Sequence, residues 1–274
     1  MHYVTTQGAK IPALGFGVFR MSEAEIEAVV PAALDAGFRH YDTAQIYENE
    51  AALGRALAAA GAKRDDLFLT TKVWVANYSA DRFLASVDES LDKLGVAQVD
   101  LLLAHWPGDA IPVAQQVEWL NSALAAGKTR FIGVSNYNRA QLRAAMAAST
   151  APIVTNQIEM HPYLDQSAMA ALALETDTRL TGYFGMADGA VPRDALIGEI
   201  AARHGKSAAQ VGLRWLVQQG VIVLSKTAKP ARLAENFAIF DFALTEAEMA
   251  AIGGLARPEG RLVSPPGLAP DWAA

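Results

Sequence analysis

The 274-residue chain contains no cysteine, which excludes disulfides, thiol nucleophiles, zinc–thiolate centres and iron–sulfur clusters. No apolar run approaches the ~18–20 residues that a membrane-spanning helix needs. Positive charge is not in excess either: 23 Lys+Arg stand against 29 Asp+Glu, a formal net charge of −6. That balance argues against nucleic acid as the main partner. The opening Met1-His2-Tyr3-Val4 has neither the basic stretch nor the apolar stretch of a secretory signal, so the expectation is a cytoplasmic protein without a membrane partner. His2, His40, His105, His161 and His204 show no metal-ligand spacing, and no metal is expected. Gly15-Phe16-Gly17-Val18-Phe19-Arg20 lacks the third glycine of a dinucleotide fingerprint, and there is no Walker A sequence. Ser135, within Gly133-Val134-Ser135-Asn136-Tyr137, does not sit in a nucleophile elbow.

What is present is an apolar fraction of 52% with 19% charged residues, which is the composition of a globular chain with a sizeable core. A small hairpin (Tyr3-Val4-Thr5 and Lys10-Ile11-Pro12) precedes strand 14–17. Helix 22–36 opens on the capping box Ser22-Glu23-Ala24-Glu25 and stops at Gly37. Strand 38–41, helix 48–60, strand 67–71, helix 79–94, strand 99–103 and helix 112–126 come next. Then come strand 130–134, helix 139–148, strand 153–157, helix 166–175 and strand 179–183. Helices 192–204 and 207–218, strand 221–224 and helix 230–238 complete the pattern. Residues beyond about Leu255 read as an irregular tail draped over one end. The strands are nearly continuous apolar runs, as in Leu101-Leu102-Leu103, which suits strands covered on both faces. About eight strand–helix units, with no Pro/Gly-rich linker between halves, favour a single (β/α)8 barrel domain over residues 1–274 rather than a doubly wound sheet.

Active sites of such barrels lie at the C-terminal strand ends. From the second strand onward those ends carry Asp42 and Tyr47, Lys72 and Trp74, His105 and Trp106, Ser135 and Asn136, Gln157, Tyr183, and Ser225, Lys226 and Thr227. Singly, each has a structural use: Asp42 could cap a helix, Tyr47 could be a packed aromatic, Lys72 a solvated charge, His105 a hydrogen-bonded core histidine. Together they supply an acid, a cation beside it, a counter-charge and an imidazole, a set for which a purely structural reading has no use.

These segments resemble the aldo-keto reductases. The resemblance rests on Leu14–Gly17, Phe38–Glu50, Thr70–Trp74, Val99-Asp100 with His105-Trp106-Pro107, Ile132–Asn136, Asn156–Tyr163 and Ser225-Lys226-Thr227 with Arg232–Asn236. The closing stretch Arg261–Trp272 is most similar to the bacterial branch that reduces 2,5-diketo-D-gluconate and methylglyoxal. The resemblance implies a (β/α)8 barrel with NADPH across its C-terminal face and a catalytic tetrad of Asp42, Tyr47, Lys72 and His105. It implies that Ser135, Asn136 and Gln157 hold the nicotinamide amide with Tyr183 stacked on the ring. It assigns Ser225, Lys226, Thr227, Arg232, Glu235 and Asn236 to the phosphate and adenine end, and Phe19, Trp74 and Trp106 to the substrate walls. Phe184-Gly185-Met186 departs from the family pattern and leaves open how that loop meets the cofactor.

The expected reaction is NADPH-dependent reduction of small aldehydes and ketones, ketoesters among them, to alcohols. Tyr47 would donate the proton, with its pKa lowered by Lys72; Asp42 would keep Lys72 charged, and a neutral His105 would orient the carbonyl. The cations Lys226, Lys229 and Arg232 suit the extra phosphate of NADPH. The expected partner is a small carbonyl compound, and the expected state a monomer. A cofactor-binding sensor without turnover is the alternative; a barrel isomerase or hydrolase would need a base or a metal that the chain does not offer.

Overall fold

In the computed structural model, which describes residues 2–108 and 110–274, strands β1 (Tyr3–Thr6) and β2 (Ala9–Pro12) pair antiparallel. Gln7 and Gly8 between them both hold positive φ, 43° and 86°, as the tightest hairpin turns require. Ala9 and Ile11 are fully buried and meet Phe68, Leu101, Leu103, Val154 and Ile222 in one cluster. All five of those partners belong to later strands, so the hairpin plugs one end of the barrel that these strands form.

Eight parallel strands close into that barrel. They are β3 (Leu14–Gly17), β4 (His40–Asp42), β5 (Phe68–Val73), β6 (Val99–Ala104), β7 (Thr129–Ser135), β8 (Ile153–Glu159), β9 (Arg179–Tyr183) and β10 (Ile222–Ser225). β10 pairs with β3 through Val223↔Leu14 and Leu224↔Gly15, which closes the ring. The helices are α1 (Glu23–Ala36), α2 (Glu50–Ala59), α3 (Phe83–Leu94), α4 (Val113–Ala125), α5 (Arg139–Ala148), α6 (Ser167–Glu175), α7 (Ala195–His204), α8 (Ala208–Gln218), α9 (Ala231–Phe237) and α10 (Glu246–Gly253). This is a (β/α)8 barrel with an added N-terminal hairpin.

Strand alternation divides the core in two. Along β6, Leu101 and Leu103 join the cluster inside the barrel, whereas Leu102 and Ala104 join the larger layer between strands and helices. The same parity puts Phe68 of β5 inside and Leu69 and Val73 outside.

Every expected strand and helix is present, most with ends shifted by one or two residues. α1 has its capping box at Ser22 and its stop at Gly37, φ 109°. β4 is shifted to His40–Asp42, because Asp42 pairs in register with Gly17 and Thr70. α3 starts at Phe83 rather than Ser79. α7 starts at Ala195 behind a 3₁₀ turn over Val191–Arg193, with Asp194 accepting from the Ile197 N–H as its cap. α10 is an element the strand–helix pattern does not anticipate, although Thr245 and Glu248 form a full capping box at its start; the residues beyond it are irregular, as expected.

Candidate active site

Strand parity also decides which polar side chains enter the barrel. His40 and Asp42 share one face of β4, and Phe68, Thr70 and Lys72 share one face of β5; His40 Nε2 lies 3.0 Å from Thr70 Oγ1. One step further along each strand, Lys72 Nζ stands 2.5 Å from Asp42 Oδ1. The ammonium also donates to the Thr43 carbonyl at 2.8 Å and to Tyr47 Oη at 3.4 Å. Three acceptors for three N–H groups mark the protonated form. Burial pulls the Lys72 pKa down, and the carboxylates of Asp42 and Glu50 act against that pull. Asp42 uses its second oxygen as well, Oδ2 accepting from Gln157 Nε2 at 2.8 Å.

Tyr47 ends a 3₁₀ turn, Gln45–Tyr47, that comes after β4. Since its oxygen accepts from Lys72, its own proton is available to the cavity. The expected lowering of its pKa is not what the structure produces. Burial, with Asp42 nearby, pushes the hydroxyl well above its ordinary value. The ammonium's field is largely cancelled by the carboxylate it is paired with, so desolvation decides the direction. Tyr47 is therefore held as a neutral phenol.

His105 comes directly after β6. Its ring is edge-on to Tyr47 and to Trp74, with centroids at 5.6 and 5.4 Å. Burial and the Lys72 charge hold its pKa well below the usual imidazole range, so the ring is neutral. Its Nδ1 is buried without a hydrogen-bond partner; the expectation of an imidazole that donates through one nitrogen fits Nε2.

Asp42, Tyr47 and His105 line one cavity of about 760 Å³ at the C-terminal strand ends, and the fully buried Lys72 stands behind them. Phe19, Trp74 and Trp106 line it too, and Phe19 packs 4.8 Å from the Tyr47 ring. Ser135, Asn136, Gln157 and Tyr183 form another stretch of wall. They are bonded to one another and their neighbours: Ser135 Oγ to the Gln157 carbonyl at 2.9 Å, Asn136 Nδ2 to the His105 carbonyl at 3.1 Å, and the Tyr183 hydroxyl to Asn136 Oδ1 at 2.7 Å. Asn136 takes φ 63°, which turns its side chain back into this network.

Across the barrel, at β10, the cavity reaches Ser225, Lys226 and Asn236. Asn236 Nδ2 donates to Ser225 Oγ at 3.0 Å, and Lys226 Nζ to the Arg20 carbonyl at 3.4 Å. Thr227, Arg232 and Glu235 are not on the cavity wall. Thr227 Oγ1 accepts from the Lys229 N–H at 3.1 Å. Glu235 turns to α8, accepting from Ser207 Oγ at 2.5 Å. Arg232 is exposed at the start of α9.

Several residues in or behind the wall have no role assigned from the sequence. Arg20 lines the cavity with φ 56°, a second cation beside Lys226. Gln45 braces the Trp74 loop, its Oε1 accepting from the Trp74 N–H at 2.8 Å and from Asn77 Nδ2 at 2.9 Å. The loop after β9 contributes Phe184, Gly185 and Met186, with Phe184, Ala187 and Asp188 all at positive φ. The tail contributes Leu262 to Pro265 and Leu268. The exposed Phe19, expected as a substrate wall, forms part of a rim with Leu262 and Ile46.

The donor set fits a nicotinamide cofactor. Two amides and a hydroxyl share a buried wall next to the Tyr47 phenol, and Lys226 with Arg20 puts cations at the far end. A phenol, a buried ammonium–carboxylate pair and a neutral imidazole around one cavity of a parallel barrel define an oxidoreductase acting on carbonyl groups. The chain belongs to the aldo/keto reductase family, whose model matches residues 13–257. It is 43% identical to the methylglyoxal reductase DkgB of Yersinia pestis, over 96% of this chain and 99% of that one. It is 39% identical to the morphine 6-dehydrogenase of Pseudomonas putida, over 90% and 88%. The solved structure of a candidate 2,5-diketo-D-gluconic acid reductase B superposes with a TM-score of 0.98 at 60% identity, covering 100% of this chain and 98% of that one.

Proposed function

We propose that this chain reduces small aldehydes and ketones to alcohols with NADPH, Tyr47 giving the proton. Candidate substrates are methylglyoxal, 2,5-diketo-D-gluconate and ketoesters, the first two in line with the names of its relatives. The observation that carries the reading is the hydrogen bond from Lys72 to Tyr47 Oη, made by an ammonium already paired with Asp42.

NADPH, when bound, supplies the hydride. Ser135, Asn136, Gln157 and Tyr183 would hold its nicotinamide end, and Ser225, Lys226 and Asn236 its phosphate end, with Thr227, Arg232 and Glu235 flanking. Phe19, Trp74 and Trp106 enclose the substrate and exclude water. His105 donates from Nε2 to the carbonyl oxygen and aims it at Tyr47. A phenol with a raised pKa is a weak acid at rest, but the oxygen it serves becomes an alkoxide, a far stronger base, as the reaction proceeds. Tyr47 gives up its proton at that moment, and Lys72 stabilises the phenolate left behind. Asp42 keeps Lys72 charged and in place.

The wider reading is one catalytic domain over residues 1–274, acting as a monomer in the cytoplasm on small molecules, with neither nucleic acid nor membrane as partner. Among the described residues no helix is long and apolar enough to cross a membrane. The test is loss of NADPH absorbance with a carbonyl panel of methylglyoxal, 2-nitrobenzaldehyde and an acetoacetate ester. Turnover of at least one is expected; tight NADPH binding without turnover of any would favour the sensor alternative.

A further inference from the structure

Glu159 and His161 belong to the run that supplies Gln157, yet neither lines the cavity. Both are fully buried, and Glu159 is the last residue of β8. Its Oε1 accepts from His161 Nε2 at 2.9 Å and from the Leu262 N–H at 2.8 Å, and its Oε2 from the Val263 N–H at 3.0 Å. Arg261 Nη1 lies 3.7 Å from Oε2. A carboxylate this deep is tolerated only with donors on both oxygens. Two of those donors are backbone amides 103 and 104 positions further along the chain.

The gripped segment has no helix or strand of its own, so no ladder holds it. Its other ties lie to either side. Gly260 packs so closely on the Tyr163 backbone that a Cβ there would come within 1.8 Å of the Tyr163 oxygen. Arg261 stacks its guanidinium 3.7 Å from the Trp272 ring centroid, and Trp272 Nε1 donates to Ser264 Oγ at 3.1 Å. Between these ties, Leu262, Val263, Ser264 and Pro265 wall the cavity.

We propose that Glu159 is a positioning residue whose ionised carboxylate latches the backbone at Leu262 and Val263, setting the tail as a substrate wall without touching substrate. The kinetic part rests on the carbonyl-reductase reading; the structural part does not. Glu159→Gln keeps the size and removes the charge, presenting an NH₂ to one of the two amides. Trypsin should then cut the full chain after Arg261 at least about tenfold faster than wild type, because a local opening now exposes that bond. KM for the carbonyl should rise about tenfold, with kcat within about twofold. Glu159→Asp, which keeps the charge, should recover part of both effects. In the wild-type protein itself, the amides of Leu262 and Val263 should exchange with deuterium about a hundredfold more slowly than in an unstructured peptide. Exchange at unstructured rates overturns the latch whether or not the variant folds. So does a Glu159→Gln enzyme with wild-type cleavage and KM, or one that loses kcat at unchanged KM. Absence of turnover with every carbonyl would sink the functional reading alone, while exchange and cleavage still decide the latch.

Discussion

Lys72 and Asp42 form an ion pair inside the barrel, Nζ to Oδ1 2.5 Å, with both side chains almost wholly withdrawn from solvent. A buried pair of this kind adds little net stability, but removing one partner strands the other. Asp42→Asn should therefore cost about 3–5 kcal/mol of folding stability, read as a lower urea midpoint, and should also cut kcat as Lys72 loses its charge or its position. Unchanged stability would mean that solvent reaches the ammonium after all.

Burial holds Tyr47 as a phenol and His105 as a neutral ring. For reduction, neither group then titrates between pH 6 and the ordinary phenol value of about 10. The kcat profile should be flat from about pH 6 to 9. A fall of tenfold per pH unit starting near neutrality would place the Tyr47 pKa in the depressed range and contradict the upward direction that burial imposes.

At the far end of the cavity, Lys226 lines the wall and Arg232 does not. Lys226→Ala should raise KM for NADPH about tenfold and leave KM for NADH nearly unchanged, as loss of one charge-assisted phosphate contact would. Arg232→Ala should have the same sign and a smaller effect. Equal KM values for the two cofactors in the wild-type enzyme would remove the case for NADPH.

His40, buried beneath the pair, has its pKa lowered to about 4 by desolvation. The unfolded chain binds this proton near pH 6.5 and the folded chain does not until about pH 4. Between those values the unfolded state holds more protons, so stability rises with pH and is lost as pH falls through that window, by about 3 kcal/mol from this residue. His105 acts in the same direction. Urea midpoints at pH 7, 5.5 and 4.5 should fall steadily, and His40→Gln should flatten the slope. A slope that the substitution leaves unchanged would exclude His40 as its source.

The eight-strand pattern and the meeting of Asp42, Tyr47, Lys72 and His105 at one cavity are legible because each rests on local signals: apolar runs bounded by caps, and polar residues repeated at the same end of successive strands. α10 escapes the pattern although its capping box at Thr245 is intact, since the repeat of strand and helix is already complete before it. Family position puts Glu235 at the cavity, but it says nothing of rotamer, and Ser207 draws the carboxylate away. The pKa of Tyr47 cannot be read from neighbours alone. Its direction depends on burial and on how far Asp42 cancels Lys72, and both are properties of the closed barrel. Glu159 stands in plain view in the motif, but its partners at Leu262 and Val263 are set by the path of a segment with no periodicity.

The step on which the proposed reaction turns is proton donation by Tyr47. Its most direct test is a single-turnover measurement of NADPH oxidation by Tyr47→Phe with methylglyoxal, alongside cofactor binding by fluorescence. The variant should bind NADPH as wild type does and oxidise it at least about 10²–10⁴-fold more slowly. A rate equal to wild type would contradict the assignment.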